Sequence, residues 1–187
     1  MILQGNDPYR GPSFSVVNRL LRMLWGLVYL FLFKISPRPF HSWRNLLLRL
    51  FGAKLGHHVH IYPSVKIWAP WNLNVGNFVG IGDGATIYCM DQVKIDDYAV
   101  ISQGTYLCTG SHDFNMPNFQ LITAPITIGS RVWLCAESFV GPGVSIAEGT
   151  VIGARAVVAK SINESWRVWA GVPVKQIGVR DKQRVLQ

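Results

Sequence analysis

Ile128-Gly129-Ser130-Arg131-Val132-Trp133-Leu134-Cys135-Ala136-Glu137-Ser138-Phe139-Val140-Gly141-Pro142-Gly143-Val144-Ser145-Ile146-Ala147 opens the stretch that decides the fold. Stepping by six from Ile128 lands on Leu134, Val140, Ile146, Ile152 and Val158, every one aliphatic. One residue after each stands Gly129, Cys135, Gly141, Ala147, Gly153 or Ala159, all small. Four residues after the first five stand Val132, Ser138, Val144, Thr150 and Ala156, each small or β-branched. A helix cannot keep a six-residue row on one face, because its period is about 3.6 residues. Three coincident rows of period six therefore mark an internal repeat and an all-β solenoid.

The rows run backwards through Ile61, Ile67 and Leu73, then Val75, Ile81 and Ile87, then Ile95, Ile101 and Leu107. The phase slips by two residues at Leu73/Val75, Val93/Ile95 and Ile126/Ile128. Three hexads plus two residues at a recurring corner make a coil of twenty, which describes a triangular prism. Each short strand sends one aliphatic side chain to the axis, and each corner needs a residue small enough to clear the coil stacked on it. Coils then pair as parallel strands about 4.8 Å apart and bury one another's apolar rows.

The repeat breaks between Leu107 and Ile126, where Gly110-Ser111-His112-Asp113-Phe114-Asn115-Met116-Pro117-Asn118-Phe119 cannot hold period six. Such an insertion is an extruded loop, about residues 110–125, and loops of this kind often carry a solenoid's function. His112 opens it and is the last histidine of the chain. A lone imidazole, whose ordinary pKa is about 6.5, suits a general base; it also suits a residue that merely ties the loop down, and spacing alone does not choose. His41, His57, His58 and His60 precede the first hexad and read as end-cap or surface residues. A zinc site would need several histidines converging from neighbouring coils, so no metal is expected.

Ahead of the hexads, residues 15–35 form a helix that is apolar nearly all round, and residues 43–51 form a second helix ending at Gly52, which suits a helix C-cap. The unbroken apolar stretch 23–33 is about half of the ~20 residues that span a bilayer. Two readings stay open for residues 15–54: the helices pack on the solenoid end or a neighbouring chain, or they present a basic amphipathic surface to a membrane. Charge separates along the chain, with +7 in residues 1–60, −3 in 61–159 and +4 in 160–187. Basic ends fit phosphate groups or an anionic membrane. Nucleic acid is not expected as a partner, because no lysine- or arginine-rich run occurs. Cys89, Cys108 and Cys135 are too few and too scattered for a disulfide framework, which fits a reducing cytoplasm. The start, Met1 to Pro8, does not read as a secretory signal.

Segments 48–56 (Leu-Arg-Leu-Phe-Gly-Ala-Lys-Leu-Gly), 67–73 (Ile-Trp-Ala-Pro-Trp-Asn-Leu), 102–113 (Ser-Gln-Gly-Thr-Tyr-Leu-Cys-Thr-Gly-Ser-His-Asp) and 139–144 (Phe-Val-Gly-Pro-Gly-Val) carry a resemblance covering nearly the whole chain. The sequence resembles the hexapeptide-repeat acetyltransferases with a left-handed parallel β-helix, in particular the colanic acid biosynthesis acetyltransferases of bacterial exopolysaccharide clusters. The resemblance implies a solenoid over 61–165, an N-terminal helical segment over 1–60 and a closing segment over 166–187. It implies a homotrimer with sites between adjacent prisms, cytoplasmic or at the inner membrane face. His112 would take the proton from a hydroxyl of a sugar or lipid-linked oligosaccharide as that oxygen attacks acetyl-CoA directly, with no acyl-enzyme and hence no cysteine nucleophile.

By the same matching, Trp133 and Ala136 line the pantetheine arm and the Ala136 N–H faces the oxyanion. Ala154, Ala159 and Lys160 follow along the cofactor groove, where an extended pantetheine needs small neighbours. Lys160, Lys175 and Arg180 supply charge for phosphates, and Tyr88 and Asp91 hold the acceptor. Cys135, Ala147 and Asp96 stand where glycine is commoner in the repeat. Two rivals remain: the same enzyme with another acyl group, and a non-catalytic trimeric scaffold that needs no loop histidine.

Overall fold

A computed structural model describes residues 8–186. Strands of two to four residues, too short to stand alone, stack into three sheets that form the sides of a prism. The first face holds Lys54–Leu55, Leu73–Val75, Val93–Ile95, Ile126–Ile128 and Ser145–Ile146, in that spatial order and all parallel. The second holds His60–Ile61, Gly80–Ile81, Val100–Ile101, Trp133–Leu134, Val151–Ile152 and Arg167–Ala170. Lys66–Ile67, Thr86–Tyr88, Tyr106–Cys108, Phe139–Val140 and Val157–Val158 make the third. Each full coil lays one strand on each face, so every strand's neighbours lie one coil away.

The aliphatic row from Ile128 to Val158 points inward, with no member more than 2% exposed, and Val132, Ser138, Val144, Thr150 and Ala156 form a second buried row. The small row is imposed by the next coil: a Cβ at Gly129 would lie 2.8 Å from the Glu148 nitrogen and the Ile146 oxygen. Thr105 and Thr150, buried among aliphatics, give their hydroxyls to the carbonyls of Cys135 and Glu164, so neither polar group is orphaned. Before the break Leu73 pairs with Val93, twenty residues on; after it Trp133 pairs with Val151, eighteen on. The two extra residues sit at the corner between the third and first faces, and the insertion leaves the prism at that same corner.

At the N-terminal end a helix α1, Val16–Val28, is capped by Ser15, whose hydroxyl accepts from the Asn18 N–H at 3.3 Å. It runs on as a π-helical turn, Tyr29–Phe33. A second helix α2, His41–Leu50, starts two residues before the sequence reading places it and stops at Gly52, whose φ is +88°. Together they close the open edge of the first coil. Arg49 donates to the carbonyls of Leu55 and Gly56, Asn45 to Val59 at 2.7 Å, Arg44 to Ile61 at 2.6 Å and the Trp25 indole to Ile67 at 2.7 Å. A bare sheet edge is a template for aggregation, and here five of its carbonyls are covered. The open reading that these helices pack on the solenoid end is therefore met by one side of them. α1 and its π-helical turn match the helix read over 15–35, and Val16–Phe33, 18 residues long and 17% buried, is long and apolar enough by composition to cross a membrane, which the 23–33 stretch alone is not. At the far end, Lys175–Val179 pairs antiparallel with Arg167–Ala170 and closes the last edge.

Candidate active site

The insertion is not an irregular loop. Gly110–His112 pairs antiparallel with Leu121–Thr123, with His112 opposite Leu121, and the turn between them is tied by Asp113 N–H to Gln120 O at 2.8 Å and Phe119 N–H to Met116 O at 2.9 Å. This hairpin holds His112 partly exposed. Its Nδ1 lies 2.8 Å from the Phe119 carbonyl oxygen, and its ring stacks on the Phe119 ring at 4.5 Å with 8° between planes. A carbonyl only accepts, so in the neutral ring Nδ1 carries the hydrogen and Nε2 keeps the lone pair. The imidazole is thereby oriented as a proton acceptor. Phe119, at φ +45°, is a positioning residue that the sequence reading missed, because nothing local in sequence links it to a histidine seven residues earlier.

The hairpin root borders Asp91, whose N–H donates to Thr109 Oγ1 at 3.0 Å. From there the third face carries a ladder of rings: Trp68 to Tyr88 at 5.9 Å, Tyr88 to Tyr106 at 6.2 Å and Tyr106 to Phe139 at 5.7 Å. A cleft of about 540 Å³ opens between this ladder and α1, lined by Arg22, Tyr29, Lys66, Trp68, Tyr88 and Tyr106 among others. Arg22 lies 4.3 Å above the Trp68 ring. Burial pushes the Tyr88 and Tyr106 phenols above their ordinary value, so both remain neutral hydroxyl donors near neutral pH. Only Tyr88 of this ladder was singled out from sequence.

The other expected groove residues fall on separate edges. Trp133 is 45% exposed on the second face, and its indole donates to Ser102 Oγ at 2.9 Å. Ala136 and Ala154 stack at the corner between second and third faces, where the Ala136 carbonyl accepts from Arg155 N–H at 2.9 Å. Ala159 and Lys160 are exposed at the third-to-first corner, the edge that bears the hairpin. Lys175 is exposed on the closing strand. Arg180 lies apart, at the first-to-second corner, with Nη1 donating to the carbonyls of Arg131 at 2.6 Å and Gly149 at 3.1 Å. One chain thus presents His112, Asp91 and Lys160 along one edge and Ala136 and Ala154 along another, with the third face between them.

Two of the three thiols are held out of nucleophilic chemistry. Cys89 is fully buried and pushed up to about 11 by that burial, and burial also raises Cys135; a thiol so held is a poor nucleophile. Among the described residues no group of three or more His, Cys, Asp or Glu side chains converges to hold a metal. His41 and His60 stack on each other at 4.7 Å and His58 stacks on Phe78 at 4.9 Å.

No family model matches the chain, but individual proteins do. Over 145 residues it is 46% identical to the colanic acid biosynthesis acetyltransferase WcaF of Escherichia coli (strain K12), covering 78% of this chain and 80% of that protein. It is 30% identical over 145 residues to the galactoside O-acetyltransferase of the same organism, covering 74% and 71%. Among solved structures, a galactoside acetyltransferase in complex with coenzyme A superposes with a TM-score of 0.82 at 25% identity, over 93% of this chain and 88% of that one. A hexapeptide-repeat acetyltransferase of Vibrio cholerae O1 biovar eltor, complexed with acetyl coenzyme A, gives 0.80 at 22% identity over 91% and 93%, a likeness of fold.

Three stacked faces broken by one hairpin define a hexapeptide-repeat acetyltransferase, its coil the left-handed parallel β-helix of that class. Within the class, the chain belongs to the colanic acid biosynthesis acetyltransferase family.

Proposed function

We propose that this enzyme moves the acetyl group of acetyl-CoA to a hydroxyl of a sugar, free or lipid-linked, that enters exopolysaccharide, with His112 as general base and each site shared by two chains of a homotrimer. The acceptor oxygen attacks the thioester carbonyl while Nε2 takes its proton. The tetrahedral oxyanion rests on the Ala136 N–H, then collapses, breaking the carbon–sulfur bond; the departing thiolate recovers the proton from the imidazolium. The observation that carries this reading is the Nδ1 contact to the Phe119 carbonyl at 2.8 Å, since it fixes the tautomer that direct transfer needs.

The division of residues between two edges supports a shared site, because the hairpin edge of one prism must meet the Ala136 edge of another for base and thioester to come together. Trp133, Ala136 and Ala154 then line the pantetheine, with Ala159 and Lys160 supplied from across the boundary. Lys160 and Lys175 face the phosphates; Arg180, bound to two carbonyls, anchors the segment that carries Lys175. Tyr88 and Asp91 hold the sugar, and the aromatic ladder beside Tyr88 suits the apolar face of a pyranose. Three free cysteines support a reducing, cytoplasmic setting.

The test is turnover of acetyl-CoA with candidate oligosaccharides by His112→Ala. A loss of at least ~100-fold with the fold and acetyl-CoA affinity retained is expected. Unchanged turnover would remove His112 from the chemistry, and no turnover by the natural chain with any acceptor would favour a scaffold. Faster turnover with a longer acyl-CoA would replace acetyl as the group moved.

A further inference from the structure

We infer that the side of the two N-terminal helices turned away from the prism is a docking surface for an anionic lipid bilayer, on which the enzyme lies without crossing it.

The helices are two-sided. Asn18, Trp25 and Phe33 are buried against the solenoid, at spacings of seven and eight residues that keep one stripe of a helix. On the opposite stripe Leu24, Leu27 and Phe31 are 50%, 51% and 60% exposed, and Ile35 beyond them is 73% exposed. From α2, Trp43 and Leu50 add 39% and 72%. The Trp43 indole donates to the Leu32 carbonyl at 3.0 Å, which joins the two stripes into one apolar surface with a shallow hollow between Phe31, Ile35 and Trp43. A soluble surface rarely leaves so many large apolar side chains contiguous and bare.

Charge selects the occupant. Residues 8–82 contain nine Lys and Arg and no Asp or Glu; the first carboxylate after Asp7 is Asp83. Arg19 and Lys34 are exposed beside the apolar stripe, the arrangement in which interfacial helices sink a nonpolar face among acyl chains while cations meet anionic headgroups. A second copy of this chain packed by the same surface would bring these cations against themselves, and the one described carboxylate by the helices, Asp83, is already paired with Arg38. Crossing the membrane is excluded by the docked stripe: lifting α1 off would uncover the Ile67 carbonyl that Trp25 satisfies at 2.7 Å and expose Phe33, which is 0% exposed.

The full chain is floated with phosphatidylcholine vesicles and with vesicles that also contain phosphatidylglycerol, at low and high salt. Binding to the second kind, weakened by salt, is expected. The variant Leu24→Ser/Leu27→Ser/Phe31→Ser should bind at least about tenfold less, and Arg19→Gln/Lys34→Gln should lose the preference for phosphatidylglycerol. In both variants the unfolding temperature and turnover on a soluble acceptor should match the natural chain. Absence of flotation, or serine and natural chains floating alike, overturns the inference. A serine variant with a smaller assembly than the natural chain when no vesicles are present assigns the surface to another copy instead. Flotation is read without catalysis, so failure here leaves the acyl-transfer reading untouched.

Discussion

His112 owes its orientation to Phe119, which contributes both a carbonyl at 2.8 Å and a ring stacked at 4.5 Å. The carbonyl can face back toward the imidazole because Phe119 sits at φ +45°, a left-handed conformation that asparagine accepts better than most residues. Phe119→Asn therefore keeps the backbone turn and deletes the stacking ring. Loss of that support should lower kcat by roughly ten- to a hundredfold while leaving the KM for acetyl-CoA unchanged, since the Ala136 and Ala154 lining proposed for the thioester lies on another edge. A steady-state comparison of the two constants checks it; a rise in KM with kcat preserved would mean that Phe119 shapes the groove instead. Position matters as much for the tyrosines: burial keeps the Tyr88 and Tyr106 hydroxyls protonated near neutral pH, so both are available as donors to the acceptor proposed above.

The helical cap obeys a different electrostatic rule. His41 rests partly buried between α2 and the first coil, its Nδ1 3.0 Å from the Ile61 carbonyl, and burial holds its pKa below the ordinary value, with Arg44 and His60 adding repulsion. The fold thus prefers the neutral ring. For a histidine whose pKa is lowered on folding, stability is intact above about pH 6.5 and is lost as the pH falls through the lower folded value. Thermal unfolding followed from about pH 8 to about pH 5 should show a steeper loss of stability for the natural chain than for His41→Gln; parallel curves would clear His41 of that role. Of this cap the sequence showed two helices, the stop at Gly52 and end-cap or surface histidines, with packing on the solenoid end as one open reading, but not the contacts that make it. The donors Arg44, Asn45 and Trp25 act on carbonyls that are orphaned only because no coil precedes them, a fact of stacking rather than of local pattern. The helix itself was readable over 15–35, but the apolar stretch from Met23 undercounted the length available to a bilayer, because Arg22 does not interrupt the helix and lies over the Trp68 ring at 4.3 Å. The hexads, by contrast, were readable residue by residue: a six-residue period is the strand-and-corner repeat itself, so every aliphatic from Ile128 to Val158 could be placed inside. The hairpin was visible only as a failure of that period, since the pairing of Gly110–His112 with Leu121–Thr123 leaves no alternation long enough to see.

At the scale of the whole molecule, the prism separates the two parts of the site proposed above. His112 leaves the third-to-first corner, while Ala136 and Ala154 stack at the second-to-third corner, and a stiff stack of paired coils cannot fold one edge onto the other. In the trimer proposed above, cyclic association would solve this, because each chain would lend its hairpin edge to one neighbour and its small-residue edge to the next. Two defects placed on opposite edges should then complement. His112→Ala removes the base but keeps an open groove; Ala136→Trp fills the groove but keeps the base. Each variant alone should be inactive as a trimer. When the two are unfolded together, mixed equally and refolded, a site is whole only where the groove comes from the first chain and the histidine from the second, which is about a quarter of all sites if assembly is random. Activity near a quarter of the natural enzyme, absent when the variants are refolded separately and then mixed, would fit a site built by two chains. Mixed trimers that form but stay inactive would place groove and base in a single chain, and the separation of the edges would need another explanation.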